Sequence, residues 1–405
     1  MIETSANFLE RLLHFGEGWK IENVEVMESK KELYLEIRYT KPTGMCPIRN
    51  EESRIYDLGQ ERTIRHLDLF EYKTFLRFRL PRVINSSKEI SSIKTSFADE
   101  RVSYTFLLEN RVIELLQATN NQSKTAEFMG LSFDVVHGIM QRAVSRGLER
   151  RSLEGISEVC IDEKSYGKGH QYFSILSDLN SDRLLEINNE RTTDSANELI
   201  QKTFTLEQRP KIEFIAMDMW KPFMQAAKES IPQAKIIHDK FHVIKYLNKG
   251  VDTVRKHESK TDNPIIKNTK YLFLKNKSKW SSTQSSTFEQ INQINLNTSK
   301  AWHIKENFNE LFNQNNVNQC IKFFKDWYTN TLESEIKPMI SAADTILKHI
   351  DGVINAALYQ LTNARAESIN AKIQVIKSTA RGFKNFNGYR TSLMFFLGRL
   401  DMLPY

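Results

Sequence analysis

The amino-acid sequence predicts an α/β core, a mixed five-stranded sheet flanked by helices, joined to an N-terminal β-rich module, a three-helix unit and an all-α insertion. Three observations carry that prediction. Residues 19–39 alternate with a period of two, residues 101–150 repeat with a helical period, and residues 157–245 alternate short apolar strands with helices.

In the β-rich module (1–95), KIENVEV and ELYLEIRY flank the polar turn ESKK and read as a hairpin. The run RHLDLFEYKTFLRFRL is a further strand-rich stretch expected to end at Pro81, and VINSSKEISSIKTSF is expected to be a loop. Across 96–150, FLLENRVIELLQA, SKTAEFMG and SFDVVHGIMQRAVSRGL read as three helices. Ser123 and Ser132 are their expected caps, and Gly130 is the turn residue between two of them. This is the layout of a helix-turn-helix, whose last helix would enter a DNA major groove through Lys124, His137 or Arg142. A generic three-helix packing unit has the same pattern.

The core begins at 151–245. SEVCIDE, QYFSILSD and RLLEINN read as antiparallel strands, followed by the helix SANELIQKTF, the strand KIEFIAMD, the helix KPFMQAAKESI and the strand AKIIHD. The order β-β-β-α-β-α-β is that of the ribonuclease-H-like type, and strands alternating with helices imply some parallel pairing. A polar helical insertion (246–344) interrupts the core before a closing helix and basic tail (345–405). Asn363 and Gly382 are the expected cap and terminator of the closing helix.

Composition narrows the function classes. Hydrophobic residues at 40% and charged residues at 26% fit an ordinary globular chain, and no run approaches the roughly eighteen apolar residues of a membrane span. The acid-bearing N-terminus is unlike a signal peptide, and three scattered cysteines (Cys46, Cys160, Cys320) point to a reducing, cytoplasmic setting without a membrane partner. The net charge of +7 permits a polyanion partner. Its distribution favours one, because residues 368–400 hold six basic side chains and no acid: Lys372, Lys377, Arg381, Lys384, Arg390 and Arg399.

Phosphodiester chemistry needs charge neutralised at a phosphate while an oxygen nucleophile is activated, and paired magnesium ions on carboxylates do both. Asp162 follows the apolar run VCI, Asp218 follows FIAM, and Glu367 opens the closing helix. On that helix Glu367, Asn370, Gln374 and Lys377 form a polar stripe, and Ile369, Ile373 and Ile376 form the opposite, apolar one. Glu163, Asp178 and Asp182 are rival acids, and acids at strand ends are common turn formers.

At this point the chain resembles the insertion-sequence transposases of the ISL-three family, which carry a DDE triad on a ribonuclease-H-like fold. The resemblance lies in residues 62–83 (RTIRHLDLFEYKTFLRFRLPRV), 161–179 (IDEKSYGKGHQYFSILSDL), 214–223 (FIAMDMWKPF), 234–245 (AKIIHDKFHVIK) and 362–383 (TNARAESINAKIQVIKSTARGF). It implies Asp162, Asp218 and Glu367 as catalytic and metal-holding acids for two Mg2+ ions, with Mn2+ able to substitute. Their gaps of 56 (218 − 162) and 149 (367 − 218) positions imply an inserted domain in the second. It also implies double-stranded DNA as partner, namely terminal inverted repeats and target DNA. A homodimer or larger assembly on that DNA follows, in a prokaryotic cytoplasm and on the nucleoid when DNA-bound. The family's N-terminal zinc module is degenerate here. Only Cys46 survives of its cysteine pairs, and one thiol cannot make a tetrahedral zinc site, so no structural zinc is expected.

Other residues carry two readings each. Asp239 and His242 resemble a D-x-x-H feature of related transposases, or brace the sheet edge as a hydrogen-bonded pair. Lys168 and His170, in the loop GKGH, could approach a phosphate or simply form a hairpin turn. Lys372, Lys377, Arg381 and Lys384 could track a DNA backbone or form a solvated face. Trp280, Trp302 and Trp327 could stack on an extruded base, with core packing the stronger reading. The function expected is binding of terminal repeats with metal-dependent strand cleavage and transfer. The rivals are a structure-specific nuclease on the same fold and a non-catalytic DNA-binding relative.

Overall fold

The computed structural model describes residues 10, 13, 15–165, 172–260, 266–275, 277–294, 296–360, 364–380, 383 and 385–404. The chain forms two compact units, one of residues 1–151 with 400–405 and the other of residues 152–399.

The first unit opens with strands β1 (Trp19–Met27), β2 (Glu32–Tyr39), β3 (Thr43–Cys46), β4 (Glu51–Arg65), β5 (Lys73–Ile84) and β6 (Ile90–Ser92). Their order is β1-β2-β5-β4-β3, with β6 on β5. The inward positions of the period-two pattern bury Trp19, Leu35, Ile37, Leu76 and Phe78. Trp19, Phe78 and Phe97 meet edge to face at 5.3–5.5 Å, the geometry the ring quadrupole favours.

Two expectations are corrected here. β5 does not stop at Pro81 but runs on to Ile84. The partner strand β4 shifts register between Leu58 and Glu61, where Pro81 pairs, so the missing N–H falls at an irregularity of the ladder. The stretch after Arg82 is not all loop: Ile90–Ser92 turns back and pairs with β5. In that turn the Asn85 carboxamide oxygen accepts from the amides of Ser87 and Glu89, a local bond that sequence periodicity cannot register. The Cys46 thiol lies against Ser91 Oγ at 3.5 Å and Asn85 Nδ2 at 3.7 Å.

Helices α1 (Phe106–Thr119), α2 (Gln122–Met129) and α3 (Phe133–Arg150) complete this unit. Ser132 caps α3 by accepting from the Val135 amide, and Gly130 takes φ +59° between α2 and α3. The cap of α2 is Asn121, not Ser123: its Oδ1 accepts from the Lys124 amide at 2.9 Å. Asn120 is itself left-handed at φ 50°, which ends α1 one residue before the cap.

His66 is buried in this unit with Nδ1 2.9 Å from Thr105 Oγ1. Burial, with Arg65 alongside, pushes its pKa down to about 4. A histidine depressed in the folded state withholds a proton that the unfolded chain takes up below its ordinary pKa of 6.5. Stability is therefore full above pH 6.5 and is lost as pH falls toward 4, by about 2 kcal/mol between pH 7 and pH 5. Urea titrations at those two pH values should show that loss shrinking by the same amount in His66→Gln. An equal acid sensitivity in both proteins would exclude His66 as its source.

The second unit holds β7 (Glu158–Ser165), β8 (Tyr172–Asp178), β9 (Arg183–Asn189), α4 (Thr193–Thr203), β10 (Phe214–Met217), α5 (Lys221–Ser230), β11 (Lys235–His238) and α6 (Lys240–Glu258). The strand order is β11-β10-β7-β8-β9. β10 is parallel to both β7 and β11, whereas β8 is antiparallel to β7 and β9, so the sheet is mixed. Leu199 and Ile200 of α4 and Phe223, Ala226 and Ala227 of α5 close one apolar cluster over Val159, Ile161 and Ile215.

A helical region follows: α7 (Lys270–Leu274), α8 (Ser282–Gln293), α9 (Asn297–Phe308), α10 (Val317–Glu333), α11 (Lys337–Leu347) and α12 (Ile350–Tyr359). Trp302 and Trp327 are buried in its core and Trp280 packs on Trp302 at 4.8 Å, so these three serve packing. α12 returns to the sheet, where Asn355 donates to the Ile236 carbonyl. A Cβ at Gly352 would stand 2.4 Å from the His238 ring, so only glycine permits this approach. Helices α13 (Ala364–Thr379) and α14 (Phe386–Leu397) finish the unit. Among the described residues no helix is long and apolar enough to cross a membrane.

Candidate active site

Three strands of one parallel set carry the same pattern: VCID on β7, FIAMD on β10 and KIIHD on β11. β10 and β11 stop before their aspartates, whereas β7 runs on past Asp162 to Ser165 along β8, so Asp162 is not the strand end expected from the sequence. Val159, Cys160, Ile161, Ile215, Ala216, Met217 and Ile237 are buried in the sheet, and the aspartate that follows each run is half-buried. The ladder pairs Ile161 with Met217 and Met217 with His238. The residues that follow, Asp162, Asp218 and Asp239, therefore stand in one row where the parallel pairing stops. Parallel pairing is what makes this possible, because every strand then presents the same end to the same edge.

Asp162 is half-buried, its Oδ1 accepting from the Glu163 amide at 2.7 Å and its Oδ2 from Asn370 Nδ2 at 2.5 Å. Burial pushes its carboxyl above the ordinary range; the Asn370 hydrogen bond opposes that, and the negative charge of Asp218 adds to it. His242, in the first turn of α6, places Nδ1 2.7 Å from Asp218 Oδ1 and 3.0 Å from Asp239 Oδ2. Hydrogen bonds to these two carboxylates raise its pKa to about 10, so the imidazole is cationic at neutral pH. Asp239 also caps α6 by accepting from the Phe241 amide. The donor atoms of Asp218, Asp239 and His242 lie within 4.8 Å of one another. The resemblance offers Asp239 and His242 as a D-x-x-H feature near the second acid or as a sheet-edge brace; in the structure the imidazole pairs with Asp239 and also reaches Asp218. The signal was present in the three repeats of an apolar run ending in aspartate.

α13 brings the closing helix over this row. Ile369, Ile373 and Ile376 are buried, and Asn370 faces the other way onto Asp162. Glu367 lies one turn before Asn370 with an exposed side chain, and among the described residues no hydrogen bond or ion pair joins it to the aspartates. Lys372 Nζ is 2.6 Å from Asp182 and Lys377 Nζ donates to the Ser165 carbonyl at 3.0 Å. The rival acids are engaged elsewhere: Glu163 pairs with Arg191, and Asp178 accepts from the Asn180 amide in the β8–β9 turn. Lys168, His170, Arg381 and Lys384 lie outside the described residues, as do Asn363 and Gly382.

In the first unit Lys124 is exposed on α2. His137 is half-buried on α3, 3.0 Å from Gln122 Oε1 and stacked on the exposed ring of Phe133. Arg142 is half-buried, and its charge acts on the Tyr104 hydroxyl.

The sequence profile of a family described as Transposase matches residues 159–393, more than half of the chain, a span that includes Asp162, Asp218, Asp239, His242 and Asn370. The transposase for insertion sequence element IS1001 of Bordetella parapertussis is 24% identical over 385 residues, covering 91% of this chain and 93% of that protein. The transposase for insertion sequence element IS1557 of Mycobacterium tuberculosis is 22% identical over 364 residues, covering 82% and 80%. The match begins at the strand that carries Asp162 and ends past the helix that carries Asn370, and on it the chain belongs to the ISL-three family of transposases.

Proposed function

We propose that the chain binds the terminal inverted repeats of its mobile element, cuts the strands at their ends and joins them to target DNA as a DDE polynucleotidyl transferase. The observation that carries this reading is the row of aspartates on adjacent parallel strands with Asn370 of α13 fastened onto it. The strand order and the closing helix support a core of ribonuclease-H-like type.

The donor set fits a hard divalent cation. Oxygens of Asp218 and Asp239 lie within 4.8 Å of each other and of the His242 nitrogen, and burial holds the neighbouring Asp162 carboxyl above its ordinary range. Asp162, Asp218 and Glu367 would hold two magnesium ions, with manganese as a substitute. When bound, these supply Lewis acidity that lowers the pKa of an oxygen nucleophile and neutralises charge at the phosphate. Asn370 fixes the Asp162 carboxylate, and Asp239 with His242 fixes Asp218. In cleavage a water oxygen attacks phosphorus and the P–O3′ bond breaks. In joining, the freed 3′-hydroxyl attacks a target phosphate and displaces that strand's own 3′-oxygen. Two element ends call for at least two copies of the chain.

Helices α1–α3 would serve as a helix-turn-helix that reads the repeats, with Lys124, His137 and Arg142 toward the bases. Lys168, His170, Lys372, Lys377, Arg381 and Lys384 would meet phosphates. For the N-terminal module no structural zinc is proposed, because Cys46 supplies a single sulfur ligand.

The test is cleavage of duplexes carrying the element ends, with Mg2+ and with a chelator. Metal-dependent 3′-hydroxyl products followed by joining support a transposase. Cleavage without joining would favour a nuclease, and binding without cleavage a non-catalytic relative. Lys377→Ala with Arg381→Ala should reduce the slope of log affinity against log salt by roughly 0.9 per lost phosphate contact, equally for specific and random duplexes. Changes at Lys124, His137 or Arg142 should instead lower the preference for the repeat over random DNA. An unchanged slope would leave the tail charges as a solvated face.

A further inference from the structure

Beside the acidic row a pocket of about 270 Å³ opens between the end of β10 and helix α6. Asp218 and Trp220 line it from the strand end, and His242, Lys245, Tyr246 and Lys249 from the helix. The spacing 242, 245, 246, 249 puts these four on one face of α6. The volume is close to the ~300 Å³ lower end of small-ligand sites, room for a single nucleotide and far too little for a duplex.

The chemistry of the lining is that of a nucleotide site. Trp220 is 40% exposed and Tyr246 38%, whereas Trp19, Trp302 and Trp327 are buried. Trp220 is nonetheless held in place. Its Nε1 donates to the Arg191 carbonyl at 3.3 Å, and the Arg191 guanidinium lies 4.9 Å from its ring centre and 4.1 Å from that of Tyr172. Arg191 also neutralises Glu163, the second acid of the pocket, at 3.0 Å. Lys245 and Lys249 are exposed, and among the described residues neither is ion-paired. A pre-oriented aromatic ring, a second aromatic ring and two unpaired cations thus stand next to Asp218.

We infer that this pocket receives one unpaired DNA nucleotide adjacent to the phosphate at the acidic row. Its base stacks on Trp220 and Tyr246, and its own phosphate meets Lys245 and Lys249. Inside a duplex a base offers only its edge, so the face-on contact requires that the nucleotide leave the stack. Trp220 is then a positioning residue that holds the strand while the neighbouring phosphate reacts. The inference rests on the DNA-processing role proposed above.

The test uses the full chain and metal-free binding to duplexes carrying the element ends, scanned with a single abasic site at each position around the cleaved phosphate. Trp220→Ala should weaken binding of intact DNA by roughly ten-fold or more, the worth of one base–aromatic stack. At one position the abasic site should weaken the wild type similarly and Trp220→Ala no further, while Trp220→Phe stays near wild type. Tyr246→Ala, which alters an exposed side chain, gives the same comparison if Trp220→Ala does not fold. Additive penalties at every position, or wild-type affinity in both alanine variants, overturn the subsite alone. A wild-type protein that does not bind the element ends overturns the DNA-processing reading and the subsite with it.

Discussion

Asp218→Asn is expected to lower strand cleavage by roughly 10³-fold or more, since the charge stabilisation at stake is several kcal/mol and each 1.4 kcal/mol is a factor of ten. The substitution keeps the size of the side chain and leaves His242 its second carboxylate, Asp239, so the row should remain folded. Binding to the element ends should be equal or tighter, because one negative charge beside phosphate is removed. Single-turnover cleavage and metal-free binding on the same preparation separate the two effects. If binding falls together with cleavage while the thermal transition is unchanged, Asp218 does more than hold metal.

The largest stability effect is expected at Arg390. Its Nε and Nη2 reach both oxygens of Glu186 at 2.7 and 2.5 Å, tying α14 to β9, and Glu186 is only 5% exposed. Arg390→Ala leaves that buried carboxylate without its cation and with only the Ile187 amide donating to it, which costs about 3–5 kcal/mol. For a unit of this size the melting temperature should fall by roughly 6–20 °C. Replacing both residues, as Glu186→Leu with Arg390→Leu, should recover most of the loss, because a matched apolar pair removes the uncompensated charge. A single variant within about 0.5 kcal/mol of wild type would mean the pair is solvated and weak.

Arg390 also shows how far a one-dimensional reading reaches. In sequence it belongs to an acid-free basic stretch that points toward polyanion binding. In the folded chain its partner is Glu186, 204 positions away, and Lys372 of the same stretch meets Asp182, 190 positions away. Charge composition over a window registers only local neighbours, and these ion pairs form between segments that the fold brings together. The same limit hid the contact of His242 with Asp218, which depends on β10 and β11 being parallel neighbours.

By itself the sequence determined what local physics controls: the strand and helix periods, the Ser132 cap, the left-handed Gly130 and the isoleucine stripe that seats α13. It also marked Asp162 and Asp218 by the apolar runs before them, but the strand end it expected at Asp162 lies three residues later, at Ser165, because β8 keeps pairing with β7 there. Only the tertiary structure decided that one imidazole spans Asp218 and Asp239, which cations beside Asp218 are not ion-paired among the described residues, and that Pro81 sits within a continuing strand opposite a register shift. Those outcomes depend on pairing and burial between distant segments, whose energies no neighbouring residue in the chain records.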